Sequence, residues 1–205
     1  MVDINKKDIF HFLMIISQKK AVDLLRMGLP VVFQTDTLPA IGCIPEYFEK
    51  IYSVKKRDKN KALILMGSDI SQVLSFVHES AVYDFKKIAE EFWPGPLTLV
   101  MPISDQKIFK FAARNNTLGI RIPDSLTAKS LIAETGPLAT SSANISGLPT
   151  SMTAEEILSD LPKLKLLGPI PWRKCSGNAS TIIAWISKGK WKLIRKGQIS
   201  IANIS

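Results

Sequence analysis

The stretch Pro137-Leu138-Ala139-Thr140-Ser141-Ser142-Ala143-Asn144-Ile145-Ser146-Gly147-Leu148-Pro149 narrows the choice of fold more than any other part of the chain. A short apolar run ends there and gives way to a block of hydroxyls and one carboxamide, punctuated by Gly147 and Pro149 as a turn or loop. Hydroxyls both donate and accept hydrogen bonds, and small side chains let a ligand approach the backbone. A buried strand that ends in such a turn is where open α/β sheets bind ligands, beyond the carboxyl ends of their strands. The competing reading is an ordinary strand-to-helix connection in which Ser and Asn act as caps.

The remaining pattern fits the same class. Asp8 would cap a helix carrying Ile9, Phe12, Leu13 and Ile16, and a second helical pattern runs through Ala21, Val22, Leu24 and Leu25 to Gly28. Pro30 to Phe33 reads as a short buried strand that stops at Gln34-Thr35-Asp36-Thr37. Tyr47 to Lys56 predicts a helix running into Ser53 to Lys61, the densest basic cluster, with a strand over Ala62 to Met66 beyond it. That cluster would sit in a loop at a sheet end, where it either holds phosphate or is a solvated face. Helices are expected around Ile70 to Phe76 and Ala81 to Phe92, and Trp93-Pro94-Gly95-Pro96 then forms a rigid stop before a strand at Leu97 to Met101. In the strand Leu118 to Pro123, Arg121 alternates with Ile120 and Ile122, so it needs an acid or a bound anion. Thr153 or Ser151 would cap a helix, 169–178 reads as loop, and Ala179 to Arg195 reads as a hairpin turning at Lys188-Gly189-Lys190.

Charge and cysteine usage narrow the function. A net charge of +9 calls for an anionic partner: a nucleotide, a phosphate or a nucleic acid. The 205 residues, 46% of them hydrophobic, fit one domain, and two cysteines are too few for a disulfide framework, which implies a cytoplasmic setting. Phe10 to Ile16 is too short to span a membrane. Neither GxxxxGK[ST] nor GxGxxG occurs, and His11 and His78 stand outside metal-ligand spacing. A Ser or Cys hydrolase would need one of those histidines beside Ser142 or Cys43, and neither lies at a polar strand end.

The motifs also follow one another in a set order: Gln34-Thr35-Asp36-Thr37, Lys55-x-Arg57 before Ala62-Leu63, Trp93-Pro94-Gly95-Pro96-Leu97-Thr98, Ile120-Arg121-Ile122-Pro123, Ser142-Ala143-Asn144-x-Ser146-Gly147, Ser180-Thr181-Ile182 and Arg195-x-Gly197. From Ser17 to Ser200 this order resembles the YrdC-like family of threonylcarbamoyl-adenylate synthases in its single-domain form. The resemblance implies a twisted, mixed, open sheet flanked by helices around a concave electropositive cavity. It also implies one domain over 1–205, with 1–16 as an N-terminal extension and no additional C-terminal domain. The reaction implied is synthesis of threonylcarbamoyl-AMP and pyrophosphate from L-threonine, bicarbonate or CO2, and ATP, for use by a downstream tRNA-modifying transferase. By resemblance, Lys55 and Arg57 are the catalytic pair and bind the nucleotide together with Ser142, Asn144 and Arg195. Thr35, Arg121 and Ser180 would hold threonine, and magnesium would be carried in with ATP on no protein metal site. Where the family has an aromatic residue and a glycine after its Thr-Asp/Glu-Thr turn, this chain has Pro39 and Ala40. A non-catalytic module that binds double-stranded RNA or tRNA through the same basic cavity is the alternative, since binding of that kind rests on charge.

Overall fold

The computed structural model describes residues 13–104, 116–173 and 175–200. Short apolar runs become strands because β-branched and aliphatic side chains pack well on a pleated surface covered on both faces. The strands are β1 (Ile15–Ile16), β2 (Val31–Phe33), β3 (Ala40–Cys43), β4 (Ile64–Met66), β5 (Leu97–Pro102), β6 (Thr117–Arg121), β7 (Leu138–Ser142), β8 (Lys165–Leu167), β9 (Thr181–Ser187) and β10 (Lys190–Arg195). They form one mixed sheet in the order β1-β8-β2-β3-β7-β4-β6-β5-β9-β10. Pairing is parallel for β1/β8, β2/β8, β4/β6 and β5/β9, and antiparallel for β2/β3, β3/β7, β4/β7, β5/β6 and β9/β10.

Helices cover both faces. Strand alternation sends Val31, Phe33, Ala40, Met66 and Leu138 to one face, where α1 (Gln18–Arg26) and α5 (Leu126–Thr135) pack through Ala21, Val22, Leu25, Ala128, Leu131 and Ile132. Val32, Ile41, Cys43, Leu65 and Ala139 point the other way, into a larger core with α2 (Glu49–Lys55), α3 (Ile70–Leu74), α4 (Val82–Phe92) and α6 (Ala154–Asp160). Side chains accept from backbone N–H groups at several helix starts. Ser17 caps α1, Asp69 caps α3, and Thr153 with Glu156 closes a capping box at α6. Helix α2 ends because Lys56 turns left-handed, at φ 50°.

Most expected elements are present, including the hairpin at Lys188 to Lys190 and, in the described residues 169–173 and 175–178, the loop. One expectation fails within the described residues. The helix expected through Ile16 ends at Met14, and Ile15 and Ile16 pair in parallel with Leu166 and Leu167 as an edge strand. Ile9 and Phe12 of that expected helix lie outside the described residues. The pattern reading also leaves β3, β8 and α5 unassigned. The strand expected at Ala62 starts at Ile64, because Arg57 uses the carbonyls of Lys61 and Ala62 to close the basic loop.

Beyond the β5/β9 pairing, one buried carboxylate ties the terminal hairpin to α4. Asp84 Oδ2, in the first turn of α4, accepts from Trp185 Nε1 at 2.7 Å and from the Gly189 N–H at 2.8 Å. Burial alone would raise its pKa. The two hydrogen bonds, with Lys188 and Lys87, outweigh burial and hold the carboxyl below its usual range. The folded pKa is thus depressed, so this contribution is present above the unfolded value and lost as pH falls through the folded one. Asp84→Ala should cost about 2–3 kcal/mol in denaturant unfolding at neutral pH, because two donors lose a charged acceptor. The gap between wild type and variant should close in acid. A gap that persists unchanged there would mean that the charge on Asp84 does not carry this contribution.

Candidate active site

The expected site residues converge where β3, β7, β4 and β6 lie side by side. Ala40 pairs with Ser142, Ile64 with Thr140, and Met66 with Arg121, so these side chains form the floor of one cavity on the face shared with α1 and α5. The cavity, of about 250 Å³, is walled by Thr37, Leu38, Pro39, Arg57, Ser141, Thr150, Ala179, Ser180 and Arg195 as well. Three guanidiniums line it, and no carboxylate is among its lining residues. The expected Arg57, Arg121, Ser142, Ser180 and Arg195 all reach the cavity wall; Lys55, Asn144 and Thr35 do not.

Arg121 ends β6 with only 3% of its surface exposed. Its Nη2 meets Asp36 Oδ1 at 2.6 Å, Nη1 donates to Thr37 Oγ1 at 2.7 Å, and Nε donates to the Gly95 carbonyl at 3.1 Å. Burial presses its pKa down and Asp36 opposes that. The salt bridge and a ligand role coexist: a guanidinium has five N–H donors, so two remain after these three bonds. The partners come from the turn after β2 and from the Trp93–Pro96 turn, whose Gly95 N–H donates in turn to the Ile122 carbonyl at 2.9 Å. Thr35 is 1% exposed and its hydroxyl closes its own turn, donating to the Leu38 carbonyl at 2.7 Å and accepting from Thr37 N–H at 3.2 Å. The cavity therefore meets Thr37, which the sequence reading did not single out, with Thr35 behind it in the same turn.

Lys55 was expected in an exposed basic loop. It is the last residue of α2 and 1% exposed. Its ammonium donates to the Ser142 carbonyl, to the Asn144 carbonyl at 2.6 Å and to Asn144 Oδ1 at 3.2 Å. Three N–H donors thus meet three oxygens, leaving none for a ligand. The Asn144 carboxamide is equally committed: Oδ1 also accepts from Ser142 Oγ at 2.6 Å, and Nδ2 donates to the carbonyls of Ile145 at 3.0 Å and Leu148 at 2.7 Å. Burial first, then the charge on Arg57, pulls the Lys55 pKa down to about 7, while the three oxygens favour the charged form. Lys55 and Asn144 brace the end of β7, and Ser142 presents the result to the cavity.

Arg57 and Arg195 are tied differently. Arg57 Nε and Nη2 donate to the carbonyls of Lys61 at 3.3 Å and Ala62 at 3.0 Å. Arg195 Nε and Nη2 donate to the Ser180 carbonyl at 3.1 and 3.0 Å, and Nη2 also reaches Ser180 Oγ at 3.1 Å. Burial lowers the pKa of both, and Tyr52 and Asp58 offset this for Arg57. In each guanidinium Nη1 carries none of these bonds. Two cavity-lining cations therefore keep donors for an anion, and hydroxyl-bearing Thr37, Thr140, Ser141, Ser142, Thr150 and Ser180 line the same cavity. Thr140 follows from strand alternation with Ser142, a signal the sequence reading did not use.

Known proteins resemble this chain in sequence and in fold. A family model named for Sua5, YciO and YrdC, and described as "Telomere recombination", matches residues 23–197. The threonylcarbamoyl-AMP synthase of Buchnera aphidicola subsp. Baizongia pistaciae is 33% identical over 190 residues, covering 89% of this chain and 99% of that protein. That of Bacillus subtilis is 37% identical over 147 residues, 69% of this chain and 42% of its own. Sua5 of P. abyssi, solved in complex with L-threonine, has a TM-score of 0.81 at 28% identity over 91% of this chain, which spans 56% of that one. YciO of E. coli, at 21% identity and a TM-score of 0.76, shares the fold over 92% of each chain. The chain belongs to the Sua5/YciO/YrdC family.

Proposed function

We propose that this chain is an L-threonylcarbamoyladenylate synthase, making threonylcarbamoyl-AMP and pyrophosphate from L-threonine, bicarbonate or CO2, and ATP. The observation that carries the reading is the convergence of Arg57, Arg121 and Arg195 with six hydroxyl-bearing residues on one cavity without a lining carboxylate. Likeness to proteins named threonylcarbamoyl-AMP synthase, one matched over 99% of its length, supports it. The amine of threonine adds CO2 to give a carbamate; a carbamate oxygen then attacks the α-phosphorus, and pyrophosphate leaves with the electron pair of the broken P–O bond. Such a reaction needs positioned charge more than a covalent nucleophile. Arg121 offers its two remaining N–H groups to the threonine carboxylate, with Thr37 and Ser180 beside it, and Thr35 acts through Thr37. Arg57 and Arg195 take phosphate oxygens through Nη1, and Ser142 meets the nucleotide with Lys55 and Asn144 behind it. Magnesium would enter on ATP, since phosphates supply its oxygens where the cavity supplies no carboxylate.

The product is a mixed anhydride fit to acylate a nucleophile, so a separate tRNA-modifying transferase would consume it, in the cytoplasm. No helix among the described residues is long and apolar enough to cross a membrane. The RNA-binding alternative explains the basic loop but leaves the buried Arg121 network and the hydroxyl-lined floor without a task.

Pyrophosphate should appear from ATP only when threonine and bicarbonate are both present, and without tRNA. Release with ATP alone, or with threonine but no dependence on bicarbonate, would replace the carbamoylating reaction with an ATPase or a plain adenylation. A chain that only binds duplex RNA, more weakly as salt rises, would give no pyrophosphate under any combination.

Lys55 and Arg57 should separate in mutagenesis. Arg57→Ala should cut turnover about 10²-fold, as loss of a preorganised donor does, with a small change in melting temperature. Lys55→Met strands two buried carbonyls and should cost about 3 kcal/mol, lowering the melting temperature by roughly 6–12 °C in a domain of this size. An unchanged melting temperature with lost ATP affinity would make Lys55 a direct phosphate ligand.

ATP should also bind with proton uptake near pH 7–8, because its negative charge raises the Lys55 pKa back from about 7. Calorimetry in two buffers of different ionisation enthalpy reads this directly. Equal heats in both would mean that Lys55 is fully charged before binding.

A further inference from the structure

Arg195 differs from the other two cavity arginines in where it is rooted. Arg57 follows a helix and Arg121 ends a central strand. Arg195 ends β10, the outermost strand of the sheet, where most residues are exposed and the β9 register is broken between Leu193 and Arg195. A long side chain at the frayed end of an edge strand has rotamer and backbone freedom that weakens any contact it makes. Something must hold the chain on either side of it.

The hold comes from Thr181, the first residue of β9, which is fully buried. Its Oγ1 accepts from the Gly197 N–H at 3.1 Å and the Ile199 N–H at 2.9 Å, and donates to the Ile199 carbonyl at 2.8 Å. One hydroxyl thus uses both lone pairs and its proton on a three-residue stretch of backbone just past Arg195. Gly197 lies so close that a Cβ there would come within 2.3 Å of Thr181 N, 2.4 Å of the Ala179 carbonyl oxygen and 2.5 Å of Ser180 C. Those are backbone atoms that cannot yield, so only glycine fits. Thr181 is in turn fixed to the interior: its N–H donates to the Pro96 carbonyl at 2.9 Å, and it stands opposite Leu97 in the β5/β9 register. Beside it Ser180 Oγ meets the fully buried Thr98 Oγ1 at 2.8 Å and accepts from Arg195.

We propose that Thr181 is a positioning residue for nucleotide binding: it clamps the Gly197–Ile199 backbone onto the start of β9 and thereby fixes the Arg195 guanidinium over Ser180, with Nη1 turned to the phosphates. It touches no substrate itself. The inference rests on the assignment of Arg195 to the nucleotide, and it adds that the accuracy of that contact is set by a buried hydroxyl behind it.

Thr181→Val keeps the shape and β-branching and removes the hydroxyl, stranding two N–H groups, whereas Thr181→Ser restores the hydroxyl. Calorimetric titration of the whole chain with ATP and, separately, with threonine is the measurement. Thr181→Val should weaken ATP binding about tenfold and change threonine binding less than twofold, and Thr181→Ser should return ATP affinity to within twofold of wild type. In an Arg195→Ala background the Val substitution should have no further effect on ATP, because its route is through that arginine. Equal losses for ATP and threonine, or a full additional loss in the Arg195→Ala background, would reduce Thr181 to a stability residue and overturn the proposal. If Thr181→Val does not fold, hydrogen exchange on the wild type decides: ATP should slow exchange at the Gly197 and Ile199 amides several-fold while threonine alone does not, and unchanged rates with ATP bound would overturn the clamp. Wild-type protein that binds no ATP at all would remove the synthase reading, and this inference with it; ATP binding untouched by Thr181→Val removes the inference alone.

Discussion

A guanidinium buried at the end of a central strand sets the terms for the rest of this molecule. Arg121 is 3% exposed, and a charge taken that far from water is tolerated only with a counter-charge and filled hydrogen bonds. Asp36 gives the first, and Thr37 and Gly95 give the second. To bring them together, the turn after β2 and the Trp93–Pro96 turn must meet over the end of β6. The segment 175–178 then lies across the same turn, with Ser176 N–H donating to the Asp36 carbonyl at 3.0 Å and Gly177 N–H to the Thr37 carbonyl at 3.1 Å. A single cation thus organises segments far apart in the chain, and breaking its ion pair would loosen three loops at once.

The second buried cation works by the opposite logic. Lys55 has no carboxylate; carbonyl and carboxamide oxygens surround it, and the nearby charge is the like charge of Arg57. An ammonium held by dipoles alone has no counter-charge, so with its pKa drawn down to about 7 it is only partly charged until an anion fills the neighbouring cavity. Arg121 is largely neutralised by Asp36, while Lys55 is not. On the proposed assignment, the charge that an incoming phosphate senses comes from Arg57 and Arg195, and Lys55 adds to it through the β7 loop as it takes up a proton.

Much of this was legible in the sequence because the signals were local. Short apolar runs bounded by Gly, Pro and hydroxyl clusters mark β2, β5, β6 and β7, and the isolated Arg121 among isoleucines announces a buried partner without naming it. Capping chemistry marks α6 at Thr153. What was not legible depended on tertiary contact. Strand β3 has only Ala-Ile-Gly-Cys and follows a proline, so its strand character comes from pairing with β2 and β7 and not from composition. The edge strand at Ile15–Ile16 exists because β8 offers an unpaired partner, and a three-residue strand such as β8 carries no periodicity to read. Charge runs misled in one respect: Lys55 and Lys56 are adjacent in the same basic cluster, yet one is 1% exposed and the other is exposed, since only the first faces the β7 loop. A lysine count cannot distinguish a brace from a solvated face.

The division of labour among the three arginines follows from how many donors each has left. Arg121 has spent three of five on protein and keeps one on each terminal nitrogen, a pattern suited to a carboxylate that sits still. Arg57 and Arg195 have spent Nε and Nη2 on backbone oxygens and Ser180, which fixes the plane of each guanidinium and leaves Nη1 as the projecting corner. On the proposed assignment, a carboxylate is met by two donors of one guanidinium rooted in a central strand, and the phosphates by one corner from each of two guanidiniums rooted on different elements. Each of the three is fixed by bonds to protein before a ligand arrives, so little ordering is left to be done on binding. The fold supplies that fixity from a central strand for Arg121, from a closed loop for Arg57 and from a clamped edge for Arg195.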